Sequence, residues 1–335
     1  NSEGNKINVI RSYSDNEEGK IITKKIHEIV NSKKETYNEI AILYRTNKQS
    51  RAFEESLRKL NIPYKIYGGV SFYQRKEIKD LLAYFRLIAN NKDDEALKRI
   101  YNYPKRGIGK TSYENIIISA HQEGVSNWNV FENINKYNIN INHGAKKKIT
   151  EFTTMIKSFS AQINNKDAYT LAKYIATSSG ILKELYSEKD KGPTEVERYQ
   201  NIEELLAGIK SFVNSRTNEE SNTLSEFMLD IALLTNEDID DNNEKNDKNH
   251  INLMTIHSSK GLEYKNIFLV GLEENLFPSQ MSLSTRKDLE EERRLFYVAI
   301  TRAKENCTLS YATSRFQWGN LISSEPSRFI NEIEP

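Results

Sequence analysis

Two short apolar runs, one through Ile251, Leu253 and Met254 to Ile256 and one from Ile267 to Val270, constrain the fold more than any other feature of this chain. Runs that short, with little polar alternation, belong to strands buried on both faces, as in a parallel sheet. Between them stand His257, Ser258, Ser259, Lys260, Gly261 and Glu263, a density of polar chemistry that a plain connection does not need. Downstream, in LEEERRLFYVAITRAKENCTLSYA, Leu289, Phe296, Ala299, Ile300 and Ala303 recur near helical spacing. The spacing predicts an amphipathic helix feeding a strand at Cys307 to Tyr311. Arg302 then sits at the helix end, close to the edge of the sheet.

Upstream of about residue 90, strand and helix alternate. Ile7 to Ile10 reads as a strand, Glu17 to Val30 as a helix, Ile40 to Tyr44 as a buried strand, Ser50 to Leu60 as a helix and Pro63 to Tyr67 as a strand. Such alternation predicts βαβ crossovers and an α/β fold, a mostly parallel sheet with helices on both faces. Ligands of such sheets gather beyond the carboxyl ends of the strands. The loop after the second strand, Arg45, Thr46, Asn47, Lys48, Gln49, Ser50 and Arg51, lies where that rule puts a site. It reads equally as a polar turn with a helix cap at Asn47.

Between about Asp93 and Lys248 the rhythm changes to long amphipathic stretches: Tyr113 to His121, Ala145 to Ile163, Tyr169 to Leu185, Val196 to Val213 and Leu224 to Leu234. This is the pattern of an all-helical insertion, and the charged run NEDIDDNNEKNDKN, too poor in apolar residues to pack, marks its far end. The expected division is 1–93 and 249–335 for the two parts of a sheet domain and 94–248 for the insertion. The insertion opens with YNYPKRGIGKTSYENI, which tempts an assignment as a phosphate-cradling loop. That loop needs G-x-x-x-x-G-K-[ST] after a strand. Here the position five before Gly109 is Pro104, and the preceding LKRIYN reads as helix, so no nucleotide site is placed at Lys110.

With 335 residues, 37% of them hydrophobic, the chain has room for two compact domains. Its 48 basic and 47 acidic residues leave a net charge of +1, so a nucleic-acid site has to come from local patches. The one cysteine, Cys307, cannot form an internal disulfide, which favours a reducing cytoplasm. No stretch approaches the roughly 18 uninterrupted apolar residues of a membrane span, and NSEGNKINVI has no charged-then-apolar signal pattern. Lacking both an initiator methionine and a lead-in to its first strand, the chain reads as a cytoplasmic piece of a longer protein.

TIHSSKGLEY, followed by GLEENLFPSQ and EEERRLFYVAITRAK, resembles motifs V and VI of superfamily 1 DNA helicases of the UvrD/PcrA/Rep group. YRTNKQSRAFEESL and IPYKIYGGVSFYQRKEIKDLLAYFRL resemble the same helicases, so the likeness covers nearly the whole chain. It implies the second RecA-like domain of such a helicase with its inserted helical subdomain. By this resemblance Glu263 binds the nucleotide ribose, Gly261 approaches the phosphates through its backbone, and Arg302 is the arginine finger on the γ-phosphate. His257 and the neighbouring serines, Ser258 among them, touch DNA. Arg45, Thr46 and Asn47 lie in the part that grips the tracked strand, where Gly68 and Gly69 allow close approach and Phe72 and Tyr73 supply flat faces, although an aromatic pair at such a turn more often packs than stacks. Gly107, Ile108 and Gly109 resemble the turn whose backbone N–H groups meet a duplex phosphate, with Lys105, Arg106 and Lys110 adding charge. Trp318, at an expected hairpin tip, matches an aromatic that stacks on DNA where the strands part.

The implied activity is ATP-dependent translocation 3′ to 5′ on single-stranded DNA with unwinding of the duplex, in repair or replication. The implied partners are single-stranded DNA, a single-strand/duplex junction and an N-terminal RecA-like domain missing here. ATP with Mg²⁺ is the cofactor. The Walker A lysine and the Mg²⁺-binding acids belong to that upstream domain, so no metal ligand is assigned in this chain and the chain alone is expected to be inactive. The motor part of a nuclease-linked helicase, a non-catalytic DNA-binding module and a kinase-like enzyme built on Lys110 remain the alternatives.

Overall fold

The structure, a computed structural model, describes residues 5–33, 35–217, 220–235, 249–317 and 320–333. In chain order the first elements are β1 (Asn8–Ser14), α1 (Asp15–Lys33), β2 (Ile40–Tyr44), α2 (Ser50–Lys59) and β3 (Tyr64–Tyr67). Nine of the helices come next: α3 (Lys76–Ala89), α4 (Asp94–Ile100), α5 (Lys110–Glu123), α6 (Asn127–Glu132), α7 (His143–Ser160), α8 (Ala168–Ser178), α9 (Ile181–Glu188), α10 (Pro193–Ser215) and α11 (Leu224–Thr235). The chain then gives β4 (Ile251–Thr255), β5 (Tyr264–Leu269), α12 (Arg286–Ile300), β6 (Ala303–Gln317), β7 (Asn320–Ser323) and α13 (Arg328–Asn331).

The strands form one sheet in the order β1-β6-β5-β2-β4-β3, all parallel, with β7 folded back antiparallel on β6. The central strand explains why IAILY carries no polar residue. Ile40, Ile42 and Tyr44 point to one face, where they meet Ile22 and Ile26 of α1 and Phe53 and Leu57 of α2. Ala41 and Leu43 point to the other, where Phe296 and Ala299 of α12 and Phe329 of α13 cover them. Burial on both faces is the general condition of a parallel sheet fed by crossover helices.

At the ends of β1, β5 and β6 one buried guanidinium hydrogen-bonds to two carboxylates and has a third, that of Asp15, 3.9 Å away. Arg315 donates to both oxygens of Glu273, at 2.6 and 2.8 Å, and to Glu18 at 3.2 Å. Glu18 also accepts the Gly271 N–H at 2.9 Å and the Ser310 hydroxyl at 2.6 Å. Burial outweighs the Arg315 charge and pushes Glu18 up to about 7.

The chain divides into two compact units, Asn1–Gln74 with Leu234–Pro335, and Arg75–Leu233. The first boundary thus falls at 74/75 and not at 93/94. The reason is α3: its apolar residues Ile78, Leu81, Tyr84, Phe85, Leu87 and Ile88 are buried, and the helix packs on α4, α7, α8 and α10. The helix expected over Tyr169 to Leu185 is two helices, because Gly180 takes a left-handed φ of 91° between α8 and α9. β1 and β6 run further than expected, each holding the other in register from Asn8↔Thr308 to Ser14↔Ser314. The stretch LKRIYN is helical through Ile100, where α4 ends, and no strand lies between α4 and Lys110. The charged linker (236–248) and Trp318 lie outside the described residues. Among the described residues no helix is long and apolar enough to cross a membrane.

Candidate functional site

β4 and β5 are both parallel neighbours of β2, one on each side, yet only residues 256–263 join them. A parallel crossover ordinarily takes a dozen or more residues. This short one must carry the chain from the carboxyl end of β4 back to the amino end of β5, so it has chemistry at both edges of the sheet. His257 and Ser258 stand at the carboxyl edge and Gly261 and Glu263 at the amino edge. A five-residue strand such as β2 separates those edges by on the order of 17 Å, too far for one small ligand to touch both.

At the carboxyl edge, Arg45 and Thr46 follow β2, and Ile256 is tied to that strand by its N–H to the Tyr44 carbonyl at 2.9 Å. Gly68, just past β3, has φ of 74°, and a Cβ there would stand 2.5 Å from the Ser258 hydroxyl. Only glycine fits such a position. A Cβ on Gly69 would stand 3.6 Å from Asn47. The fold therefore brings Arg45, Thr46, Asn47, His257, Ser258, Gly68 and Gly69 to one edge from three separate stretches of sequence. The Thr46 N–H donates to Gln49 at 2.8 Å, so the cap of this turn is Thr46 and not Asn47. Arg45 is gripped by Glu292 of α12, with Nη2 2.7 Å and Nε 3.1 Å from its carboxylate. Partial burial, then the Arg45 charge, lowers the His257 pKa below its ordinary value.

Of the residues near this edge, Ser259 and Arg51 turn away from it, and the aromatic pair Phe72 and Tyr73 packs, the commoner of its two readings. Ser259 is fully buried and gives its hydroxyl to the Ile256 carbonyl at 2.7 Å. Arg51 is buried against Asp15 and Glu55, at 3.3 and 3.1 Å. Phe72 and Tyr73 are buried edge to face with each other, 5.3 Å between ring centres, so they pack and offer no flat face.

At the amino edge, α12 returns the chain from the end of β5 to the start of β6 and delivers Arg302 beside Glu263. The Tyr264 N–H donates to the Arg302 carbonyl at 2.9 Å, and Arg302 Nη1 donates to the Leu262 carbonyl at 3.2 Å. Arg302 Nε holds the Val298 carbonyl at 3.0 Å. Gly261 is exposed, with φ of 87°, and nothing lies within 4 Å of where a Cβ would stand. Its need for glycine is conformational, and the space beside it is open. Glu263 is exposed and makes no ion pair among the described residues. An open backbone turn, a carboxylate and a guanidinium converge here from positions 40 apart in sequence.

The model of the UvrD-like helicase C-terminal domain family matches residues 1–314. The chain belongs to that family. It is 40% identical over 340 residues to an ATP-dependent DNA helicase PcrA of Bacillus subtilis, which covers 99% of this chain and 44% of the relative. PcrA helicases of Staphylococcus epidermidis and Staphylococcus aureus are 38% and 37% identical with the same coverage. The chain thus spans less than half the length of these relatives.

In the helical unit of this UvrD-like chain, the Gly107–Gly109 turn is nailed down from inside. Ile108 is fully buried, while Lys105, Gly107, Gly109 and Lys110 are exposed. Arg106, expected to add charge at the surface, is turned inward. Its guanidinium donates to the carbonyls of Pro104 at 2.9 Å, Ser179 at 3.0 Å and Ile100 at 3.3 Å, and lies over the rings of Tyr84 and Phe152. Lys110 stays outward, with Glu114 3.6 Å away. The N–H groups of Gly107 and Ile108, expected to meet a phosphate, are taken by the Asn102 side-chain oxygen at 3.0 and 3.2 Å.

Two residues went unnoticed in the sequence, Glu292 and Asn102. Glu292 had a signal: it lies one turn before Phe296 and two before Ala299, on the apolar stripe of α12, where an unpaired acid is too costly to bury. Asn102 had none beyond its place two residues before a proline.

Proposed function

We propose that this chain is the C-terminal motor half of an ATP-driven DNA helicase that tracks along single-stranded DNA and parts the duplex. The observation that carries this reading is the meeting of Gly261, Glu263 and Arg302 at the amino ends of β5 and β6. Those groups fit a nucleotide: Glu263 to accept from the ribose hydroxyls, Gly261 to let a phosphate approach the backbone, Arg302 to neutralise charge on the γ-phosphate. ATP with Mg²⁺ would be completed by a further RecA-like domain. In this reading the Mg²⁺ ligands come from that domain. The carboxyl edge, with Arg45, Thr46, Asn47, His257 and Ser258, serves as the track for the single strand. Gly107 to Lys110 approach the duplex at the junction, and Trp318 stacks at the point of separation. The relatives' name, ATP-dependent DNA helicase, supports the reading.

The test is ATP turnover in the complete helicase that contains this chain, with the chain alone as a parallel arm. An arginine finger is worth about 10³ to 10⁵ in rate. Arg302→Ala should therefore nearly abolish turnover and leave affinity for single-stranded DNA within a few fold, and the chain alone should hydrolyse no ATP. Near-normal turnover by the variant removes Arg302 from the mechanism, and DNA-stimulated hydrolysis by the chain alone overturns the two-lobe reading.

A further inference from the structure

Neutral oxygens alone orient the guanidinium of Arg302. Its Nε donates to the Val298 carbonyl at 3.0 Å, Nη1 to the Leu262 carbonyl at 3.2 Å and Nη2 to the Thr301 hydroxyl oxygen at 3.2 Å. Where Arg45, Arg51 and Arg315 meet carboxylates, Arg302 makes no ion pair among the described residues. Neutral acceptors fix the plane of the group and leave its charge uncancelled, so an anion arriving at the amino edge has no carboxylate to expel. A guanidinium carries five N–H donors. Nε has one, and it is used; each terminal nitrogen has two and uses one. One N–H therefore remains on each terminal nitrogen, the pair that a bidentate contact with phosphate oxygens takes.

Thr301 supplies the one side chain among the three acceptors. Val298 and Leu262 act through their main chain, which a substitution at those positions leaves in place. The Thr301 hydroxyl is itself held, because its proton goes to the Val298 carbonyl at 2.9 Å or the Tyr297 carbonyl at 3.0 Å, both in the last turn of α12. With the proton spent on the helix, the oxygen keeps a lone pair for Nη2. Last-turn carbonyls need partners from outside the helix ladder. Here Arg302 Nε and the Thr301 hydroxyl serve them, and in doing so they tie the guanidinium to the end of α12.

We propose that Thr301 is a positioning residue for Arg302, its hydroxyl locking the guanidinium to the end of α12 so that the two unused N–H groups are held ready for the γ-phosphate. The inference rests on the arginine-finger reading of Arg302 and adds the group that aims it.

A double-mutant cycle in the complete helicase tests this, with ATP turnover on single-stranded DNA as the readout and the melting temperature as a control. Thr301→Val keeps the shape and removes the hydroxyl, whereas Thr301→Ser keeps the hydroxyl and removes the methyl. Thr301→Val should lower kcat about tenfold, the worth of a hydrogen bond to a charged group. It should leave KM for ATP and single-strand affinity within about twofold. Thr301→Ser should retain kcat within about threefold. In an Arg302→Ala background, Thr301→Val should change the residual rate by less than about twofold, because a group that acts through Arg302 has nothing left to aim. A merely structural threonine would lower the melting temperature and cost the same factor in both backgrounds.

The proposal is overturned by Thr301→Val turnover within about twofold of the unaltered protein, by an equal loss in both backgrounds, by a loss carried in KM alone, or by Thr301→Ser as slow as Thr301→Val. Should Thr301→Val fail to fold, Thr301→Ala set against Thr301→Ser isolates the hydroxyl, and equal rates for those two overturn it as well. Near-normal turnover by Arg302→Ala sinks the arginine-finger reading instead, a failure seen before any change at Thr301.

Discussion

Glu292 shows how a single acid on an apolar helix stripe can hold one edge of a sheet together. Its side chain is 6% exposed, and it meets the bidentate Arg45, the Ser279 N–H at 3.3 Å and the Ser282 hydroxyl at 3.3 Å. Removing one partner of a buried ion pair costs about 3–5 kcal/mol, and Arg45 keeps some access to water, so Glu292→Ala should cost about 2–3 kcal/mol in urea unfolding. A loss below about 0.5 kcal/mol, typical of a surface change, would mean the pair is incidental. Glu18 presents the opposite economy, since it shares Arg315 with Glu273 and has its pKa raised from 4.5 to about 7. The folded chain then holds this proton more tightly than the unfolded one, so stability is full below about 4.5 and falls as the pH rises through about 7. Unfolding measured at about pH 5 and about pH 8 should show the unaltered chain losing stability that Glu18→Gln keeps. Parallel curves for the two would show that Glu18 stays charged in the fold.

At the scale of elements, two connectors tie the edges of the sheet to each other. α12 holds Arg45 through Glu292 at its middle and ends at Ile300, two residues before Arg302. The 256–263 crossover carries His257 and Ser258 at one end and Gly261 and Glu263 at the other. A shift at the amino edge therefore has short, packed routes to the carboxyl edge. The turn before α5 separates roles just as sharply. Lys105→Ala with Lys110→Ala should leave stability within about 0.5 kcal/mol. The same pair should lower the slope of log fork affinity against log salt by about 1.8, at 0.9 per lost phosphate contact. Arg106→Ala should do the reverse, costing about 3 kcal/mol in urea unfolding through stranded carbonyls and lost ring contacts while leaving the salt slope alone. A changed slope for Arg106→Ala, or an unchanged one for the lysine pair, would exchange their roles.

Across the whole molecule, the sheet is assembled from both ends of the chain around the helical unit. β3 and β4 are adjacent strands although 183 residues separate Tyr67 from Ile251, and β1 pairs with β6 across some 300 residues. Pairings of that span close large loops before any contact is made, which places the sheet among slowly formed structures. The chain covers less than half of each relative, and in the proposed reading Arg302 and Glu263 are its contributions to a site that a further lobe completes.

Periodicity and composition alone determined the α/β class, the helical block in the middle, Ile40–Tyr44 as a central strand, and the absence of a phosphate-cradling loop at Lys110. These follow from local patterns: a strand buried on both faces must be apolar throughout, and a helical lead-in such as LKRIYN, with Pro104 where the first glycine belongs, cannot serve as the strand and loop a P-loop requires. The places of Gly261, Glu263, His257 and Arg302 in the loop after β4 and at the end of α12 were equally legible because they lie in short stretches next to patterned elements. What only the tertiary structure decided is which side chains stay open at the sheet's edges and which are spent on contacts inside the fold. Ser258 and Ser259 are neighbours of identical chemistry, and a single turn sends one to the edge and the other into the core. Arg45, Arg51, Arg106 and Arg302 are one residue type, but Glu292, the Asp15–Glu55 pair, three inward carbonyls and the Leu262–Val298 carbonyls give them different tasks. Each of these outcomes depends on partners distant in sequence or on packing around the side chain, and pattern within a window carries no record of either.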